Sequence, residues 1–247
     1  MQDSIYKGFA YLYDALMANT PYEDWAAYIN TTLQKHLAAA HAPIVLDLAC
    51  GTGSITTRLA KMGYDMIGVD ASVDMLAEAQ QKAYEAKLSI LFLAQDMQEL
   101  DLYGTVDAAV CVCDGLNYLL TEEELLETFR RVKLFLNPGG VFIFDMNTEY
   151  KFKYLSSSGG FDGEAETGEA YSCDNTYDPA TQINQYSVTF YSNDSEPFTE
   201  VHHQRAYPVW VVKRLLAEAG FGAAAVFSGY TGEPYMEDEL RAVFVVG

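Results

Sequence analysis

The chain has 247 residues, half of them hydrophobic, a length that suits one α/β core with an insertion and falls short of two complete domains. Its 15 basic and 35 acidic residues give a net charge of −20. This charge repels polyanions from most of the surface, so nucleic acid is disfavoured as a partner, and no stretch approaches the roughly 18 apolar residues of a membrane span.

Alternating strand and helix patterns follow an N-terminal helical segment. Two helices are predicted over Tyr6–Leu33, joined near Asn19-Thr20-Pro21. Strands are then predicted at Ile44–Leu48, Met66–Val69, Leu88–Ala94, Val106–Cys113 and Val141–Phe144, and helices at Ile55–Met62, Val73–Glu85 and from a capping Thr121 to Phe135, which a turn at Asn137-Pro138-Gly139-Gly140 ends. Because the elements alternate at this spacing, we expect a mostly parallel sheet with ligands at the carboxyl ends of its strands.

The helical pattern disappears between Gly159 and Tyr207. Three runs rich in Tyr, Thr, Val and Phe replace it, at Glu169–Tyr177, Gln182–Tyr191 and Phe198–Tyr207. A helix at Val209–Glu218 and strands near Ala223–Phe227 and Ala242–Val246 complete the chain. The sequence therefore predicts a helical lid over 1–40, a core over 41–150 and 208–247, and an antiparallel β cap of about three strands inserted over 151–207.

Four cysteines are present, and three of them lie in apolar stretches where a free thiol behaves as a small buried hydrophobe. They form no zinc-like pair, so no metal site is predicted. The N-terminus lacks a basic region followed by an apolar run. These features favour a reduced, cytoplasmic protein, monomeric or homodimeric.

The turn after the first predicted strand carries the sharpest chemical signal. It contains Asp47, Ala49, Gly51 and Gly53, and Asp70 ends the next strand. Glycines let the backbone approach a ligand, and an acid in this position can accept hydrogen bonds from a ribose diol. A nicotinamide dinucleotide would also suit this spacing.

Three details weigh against the dinucleotide. The third glycine of that fingerprint is missing, because Thr56 stands in its place. Asp47 would repel a pyrophosphate but can meet an ammonium group. Gln95, Asp96 and Met97 close the third strand, where they could hold an adenine.

These motifs, with Asn137-Pro138-Gly139-Gly140, resemble those of class I S-adenosylmethionine-dependent methyltransferases over residues 44–246. The resemblance implies a Rossmann-like, seven-stranded, mostly parallel sheet whose last strand is antiparallel, with helices on both faces and S-adenosyl-L-methionine as cofactor. It places cofactor contacts at Asp47, Ala49, Gly51, Gly53, Asp70, Ala71, Met75, Gln95, Asp96, Met97, Cys113, Asp114 and Asn117, the last two being candidates for the methionine ammonium group, for the substrate or for loop capping.

The sequence indicates less about the methyl acceptor than about the cofactor. The end of the fourth strand lacks both the Asn/Asp-Pro-Pro-Tyr/Phe and the Pro-Cys motifs that family members acting on nucleic-acid bases carry. The first helix, with Tyr6, Phe9, Tyr13 and Asp14, resembles that of glycine and amino-sugar N-methyltransferases. This resemblance implies a lid with Tyr6 and Tyr13 near the sulfonium, and a cap over a small substrate.

The last inserted strand holds candidate catalytic residues. Alternation puts Glu200, His202 and Gln204 on one face, and His203 and Arg205 on the other. Either histidine could act as a base, with Tyr13 nearby, unless the strand is simply a solvated edge. We expect methyl transfer to a small molecule, with an amine favoured; RNA or protein methylation, a nicotinamide-dependent oxidoreductase and a non-catalytic binding module are the alternatives.

Overall fold

The computed structural model describes residues 10–37, 42–164, 168, 170–192 and 195–247. Its helices are α1 (Ala10–Leu16), α2 (Tyr22–His36), α3 (Ser54–Lys61), α4 (Val73–Glu85), α5 (Glu122–Phe135), α6 (Glu149–Ser158) and α7 (Val209–Glu218). Its strands are β1 (Ile44–Leu48), β2 (Asp65–Asp70), β3 (Leu91–Ala94), β4 (Val106–Cys111), β5 (Leu136–Asn147), β6 (Phe161–Glu164), β7 (Ala170–Asp178), β8 (Ile183–Ser192), β9 (Ser195–Arg205), β10 (Ala225–Ser228) and β11 (Arg241–Val246).

Seven strands form the central sheet in the order β10-β11-β5-β4-β1-β2-β3. The strands β1 to β5 pair in parallel, whereas β11 is antiparallel to both of its neighbours. The predicted fold class, including the antiparallel last strand, is confirmed. In this arrangement the carboxyl ends of β1, β2 and β4 meet at one edge, where a ligand site is expected.

Both faces of the sheet are apolar and covered. On one face Leu46 and Phe144 pack in a core with side chains of α5 and α7, and on the other Val45 and Ile143 pack with side chains of α2 and α3. A strand covered on both sides reads as a continuous apolar run, which is why β1, β4 and β5 were recognisable in the sequence.

The helix starts also follow the sequence. The Ser72 side chain accepts a hydrogen bond from the Met75 backbone and begins α4, and Thr121 forms a capping box with Glu124 at the start of α5. Both helices occupy the predicted residues.

The expected turn at Asn137-Pro138-Gly139-Gly140 falls inside β5, because this strand begins directly at Leu136. The register of β5 on β4 shifts between the pairs Val106 with Leu136 and Ala108 with Val141. This irregularity accommodates the four residues within the strand, where Gly139 adopts a φ of 81°. The end of α5 was therefore predicted correctly, whereas the start of β5 lies five residues earlier than predicted.

The insertion differs from its prediction in two ways. Its first part is helical, since α6 covers Glu149–Ser158 and starts with a Thr148 cap on the Lys151 backbone. The antiparallel sheet has four strands in the order β6-β7-β8-β9, because the short β6 joins the three that were predicted. We call this sheet the cap. No helix within the described ranges is long and apolar enough to cross a membrane.

Helix α1 ends and helix α2 begins on either side of the predicted junction. Helix α1 packs against α4, and Ala10 and Leu12 share a small apolar core with Met75 and the cap residues Val188 and Phe190. The predicted contact of Tyr6 lies outside the described residues. Helix α1 therefore lies between the central sheet and the cap.

Candidate active site

A cavity of about 510 Å³ lies at the carboxyl ends of β1, β2 and β4. This volume is within the range of small-molecule sites. The predicted site residues that line it are Tyr13, Asp47, Ala49, Gly51, Asp70, Ala71, Met75, Gln95, Asp96, Met97, Cys113 and His203. The predicted residues thus come from seven elements or their ends and lie together around this cavity.

The loop after β1 forms one wall of this cavity. Ala49 and Gly51 both adopt left-handed backbone conformations, with φ of 56° and 53°. A Cβ at Gly51 would meet nothing within 4 Å, so it is the backbone conformation, and not crowding, that favours glycine there. Ala49 carries its methyl group in a strained conformation, which costs on the order of 1–3 kcal/mol and is typical of functional loops.

Gly53, a predicted cofactor contact, has a packing role between two helices. It does not line the cavity, and a Cβ there would lie 3.0 Å from the Cβ of Ala79 in α4. Its φ of 72° also shapes the start of α3. The glycine therefore allows α3 and α4 to approach each other.

Asp70 organises the loop from the end of β2. One carboxylate oxygen accepts a hydrogen bond of 2.8 Å from the Gly51 backbone, and the other accepts one of 2.8 Å from the Ser72 backbone. Burial raises the pKa of Asp70, and the backbone donors of Ser72 and Gly51 oppose this rise. The carboxylate is thus fixed in orientation while it still lines the cavity.

Asp47 is the most deeply buried acid of the cavity wall. Its Oδ2 accepts a hydrogen bond of 2.5 Å from Thr56, whereas its Oδ1 has no hydrogen-bond partner among the described residues. Burial raises the pKa of this carboxyl to about 7. A buried carboxylate oxygen without a donor is unfavourable unless a ligand supplies one, and an ammonium group meets that need.

The loop after β3 forms another part of the cavity wall. Gln95 exchanges two hydrogen bonds of 3.0 Å with the Asp101 backbone, which holds the loop in shape. Asp96 caps a short 3₁₀ turn by accepting from the Gln98 backbone. With Met97, they offer a polar and apolar edge of the kind that an adenine ring requires.

Helix α1 covers the cavity. The hydroxyl of Thr52 donates to Asp14 at 2.7 Å, and Lys82 of α4 donates to Thr52 at 2.9 Å and forms an ion pair with Asp14. These contacts, which we call the lid latch, hold α1 onto the glycine-rich loop. Tyr13 is thereby placed in the cavity wall, where burial raises its pKa well above the usual value.

Two predicted contacts at the end of β4, Asn117 and Asp114, lie outside the lining of this cavity. Asn117 is fully buried, and its side chain donates to the backbones of Asn147 and Arg205 and accepts from that of Asn147. It ties the end of β5 to the cap instead of lining the cavity. Cys113, with a φ of 57°, does line it.

Asp114 also lies outside the cavity lining, in a buried ionic cluster. Arg241 of β11 bridges Asp114 at 3.0 Å and Asp145 at 2.5 Å, and Gln204 of the cap donates to Asp114 at 2.6 Å. Burial alone would raise the pKa of Asp114, but the Arg241 guanidinium lowers it overall. The Asp145 carboxylate accepts from the backbones of Cys113 and Asp114, so the cluster fixes the loop that follows β4.

The last cap strand has the expected two faces. Glu200, His202 and Gln204 are buried, whereas His203 is exposed on the other side and reaches the rim of the cavity. His202 does not line the cavity itself but lies behind Tyr118, whose hydroxyl is 3.2 Å from its Nδ1. The alternative of a wholly solvated edge strand is wrong.

Sequence reasoning missed several cavity residues that come from the lid, the glycine-rich loop, the loop after β4 and the start of α5. They include Tyr22, Cys50, Thr52, Val112, Tyr118, Leu119 and Glu124. Tyr118 comes soon after β4 in the sequence and could have been found from its position there. Glu124 was identified only as a helix cap, since its carboxylate accepts from the Leu120 and Thr121 backbones.

Comparison with known proteins gives consistent matches. Residues 45–140 match the family described as a methyltransferase domain. The chain is 36% identical over 239 residues to the "Putative methyltransferase YqeM" of Bacillus subtilis (strain 168), covering 95% of this chain and 94% of that protein. It is 26% identical to the glycine/sarcosine N-methyltransferase of Aphanothece halophytica, covering 96% of this chain and 87% of that one.

A solved structure shares the whole architecture. The crystal structure of an S-adenosylmethionine-dependent methyltransferase from Clostridium acetobutylicum ATCC 824 superposes with a TM-score of 0.84 at 28% sequence identity, and 98% of each chain is covered. The match spans the central sheet and the insertion alike.

Proposed function

Because the chain belongs to the S-adenosylmethionine-dependent methyltransferases, we propose that it transfers the methyl group to a nitrogen of a small molecule bound between the cofactor cavity and the cap. The observation that carries this proposal is that α1 packs between the cavity and the cap, with Tyr13 in the cavity wall and His203 of the cap at its rim. Such a chamber can enclose a metabolite, whereas a duplex or a folded protein would need an open groove.

The residues present fit the cofactor. The partnerless Oδ1 of Asp47 suits the methionine ammonium group, and Asp70, held by two backbone donors, suits the ribose diol. Asp96 and Met97 suit the adenine. The nicotinamide-dependent oxidoreductase considered from sequence loses its basis, because the family is shown and the third glycine of that fingerprint is absent.

Two further observations favour an amine. The net charge of −20 steers neutral or cationic acceptors toward the protein and repels phosphorylated ones. Among the relatives, the protein of Aphanothece halophytica is named as a glycine/sarcosine N-methyltransferase. An amine also suits the tyrosine hydroxyls of the cavity wall, since Tyr13 and Tyr118 can accept hydrogen bonds from an N–H group.

Methyl transfer depends more on the alignment of the acceptor with the methyl group than on reactive side chains. When bound, the cofactor supplies an electrophilic methyl group on a sulfonium, so the chain needs to orient an uncharged nucleophile and exclude water. Tyr13 and the lid latch cover the cavity, and the left-handed Cys113 directs the loop after β4 toward it. The candidate bases that would remove a proton from the acceptor are His203 at the rim of the cavity and His202 behind Tyr118.

The acceptor class can be tested with cofactor labelled in the methyl group. The labelled cofactor is incubated with the enzyme and, in parallel, with the low-molecular-weight, RNA and protein fractions of a bacterial extract. We expect the label in the low-molecular-weight fraction, as an N-methyl group identified by mass spectrometry.

Controls make the outcome decisive. Asp70→Ala, which lacks the proposed ribose contact, should transfer much less label than wild type to every fraction when the cofactor is below saturation. Label in RNA or protein that leaves the small-molecule fraction empty would show that the cap is a docking surface, and an O-methyl or C-methyl product would exclude the amine. Cofactor binding without label in any fraction would favour a non-catalytic binding module.

The titration of Asp47 predicts a pH dependence of cofactor binding. The pKa of this carboxyl is raised to about 7, and an ammonium group binds only its ionised form. The affinity for S-adenosylhomocysteine should therefore increase as pH rises through 7, and fall up to about tenfold per unit below it. Calorimetric titrations of wild type and Asp47→Asn at about pH 6 and about pH 8 check this, because the variant should bind weakly and equally at both values. A wild-type affinity that does not change with pH would contradict it.

A further inference from the structure

A chain of three side chains leads from the cavity into the cap. Tyr118, in the 3₁₀ turn after β4, lines the cavity, and its hydroxyl is 3.2 Å from Nδ1 of His202. On the other side of the imidazole, Nε2 of His202 is 3.5 Å from Oε2 of Glu200. His202 and Glu200 are two residues apart on β9, so both side chains point to the same buried face.

Burial sets the protonation of the middle member. It lowers the pKa of His202 to about 4, with Asp114 opposing and His203 reinforcing the effect, so the ring is neutral at pH 7. A neutral imidazole donates through one nitrogen and accepts through the other. With the Glu200 carboxylate beside Nε2, the proton belongs on that nitrogen, and Nδ1 accepts from the Tyr118 hydroxyl.

Glu200 is suited to the end of such a chain. It is 7% exposed, and its Oε2 has no hydrogen-bond partner in the described part of the molecule. Burial raises its pKa to about 7, so it can accept a proton near neutrality. The 3.5 Å separation from His202 is longer than a formed hydrogen bond, as catalytic contacts often are before substrate binds.

We propose that Tyr118, His202 and Glu200 form a proton relay that removes a proton from the acceptor amine. This inference rests on the proposed function, since an amine enters near neutral pH as an ammonium ion with no lone pair for attack. One N–H bond of the ammonium breaks and its proton passes to the Tyr118 oxygen. The Tyr118 hydroxyl proton moves to Nδ1 of His202, and the Nε2 proton moves to Glu200. One proton thereby moves from the acceptor to Glu200, and the nitrogen lone pair is free.

In this relay Tyr118 is the catalytic residue, because it alone contacts the acceptor. His202 and Glu200 act through it. His202 thus does not take the proton from the acceptor directly. This explains why it lies between Glu200 and Tyr118 and does not line the cavity.

The first test measures initial rates of label transfer from S-adenosylmethionine into the low-molecular-weight fraction of a bacterial extract. At pH 7, Tyr118→Phe and Glu200→Gln should each lower the rate about a hundredfold, with S-adenosylhomocysteine affinity within twofold of wild type. Glu200→Asp should restore part of the rate. Tyr191→Phe and Glu196→Gln, which alter exposed cap residues of the same types, should transfer label at the wild-type rate.

The pH profile separates a relay from a merely structural role. Without the relay only the neutral amine reacts, so the rate of the variants should rise about tenfold per pH unit between roughly pH 7 and 9, while that of wild type changes little. The defect then shrinks as pH rises. A defect that is constant with pH, or rates within twofold of wild type, would overturn the relay.

A second readout needs no acceptor. Nitrogen NMR of the His202 ring in protein saturated with S-adenosylhomocysteine should show the neutral tautomer with the proton on Nε2, and Tyr118→Phe should shift the Nδ1 resonance. A proton on Nδ1, or a charged ring at pH 7, would overturn the proposed path. If wild type transfers no label to the small-molecule fraction, the proposed function fails, and this measurement still decides whether the hydrogen-bond chain is as proposed.

Discussion

Asp70→Ala is expected to weaken S-adenosylhomocysteine binding by about 2–4 kcal/mol, which is roughly 30-fold to 1,000-fold in Kd. The substitution removes the proposed acceptor of two ribose hydrogen bonds. It also releases the Gly51 and Ser72 backbones, which the carboxylate holds at 2.8 Å, so the glycine-rich loop loses its fixed shape.

Calorimetric titration of wild type and variant measures this effect. Asp65→Ala is the matched control, because Asp65 lies at the exposed start of the same strand and should bind with wild-type affinity. If Asp70→Ala bound within threefold of wild type, the ribose contact would have to lie elsewhere.

Arg241→Met should lower the free energy of unfolding by about 3–5 kcal/mol. The guanidinium bridges Asp114 and Asp145, and it also lies 5.0 Å from the Trp25 ring centroid. Removing it leaves the buried Asp145 and the half-buried Asp114 with Lys151 as the cation near them, and neither carboxylate keeps its bond to the guanidinium. The loop that carries Cys113 and Tyr118 should loosen as well, because Asp145 holds its backbone.

Urea denaturation at pH 7 measures the loss. Arg130→Met is the control, since Arg130 makes only exposed ion pairs and should cost less than about 1 kcal/mol. Adding Asp114→Asn and Asp145→Asn to Arg241→Met should recover part of the stability. A loss of less than about 1 kcal/mol for Arg241→Met would show that the cluster contributes little.

The central sheet was predictable because its signals are local. A buried strand is a continuous apolar run and a capped helix starts at a definite residue, so β1 and α4 could be bounded within the sequence itself. The acids at the ends of β1 and β2 were predictable for the same reason, since Asp47 is the last residue but one of its strand and Asp70 is the last.

The hydrogen-bond and ion-pair partners of other residues were not predictable, because segments distant in the sequence supply them. Asn117 is occupied by the backbones of Asn147 and Arg205, and Asp114 by Arg241, over separations of 30 to 127 residues. Nothing near these residues in the sequence indicates such partners. The start of β5 at Leu136 likewise depends on its register with β4, and not on the Pro-Gly signal that follows it.

Helix α1 contacts both the glycine-rich loop on the cofactor side of the cavity and the cap on the other side. Asp14 fastens the helix to the glycine-rich loop, while Ala10 and Leu12 pack against the cap. A movement of α1 that opens the cofactor side must also disturb its packing on the cap. An acceptor already enclosed there would keep α1 in place and hinder cofactor exchange. The geometry thus favours an ordered cycle in which the cofactor enters first, the acceptor follows, and the methylated product departs before the spent cofactor is replaced.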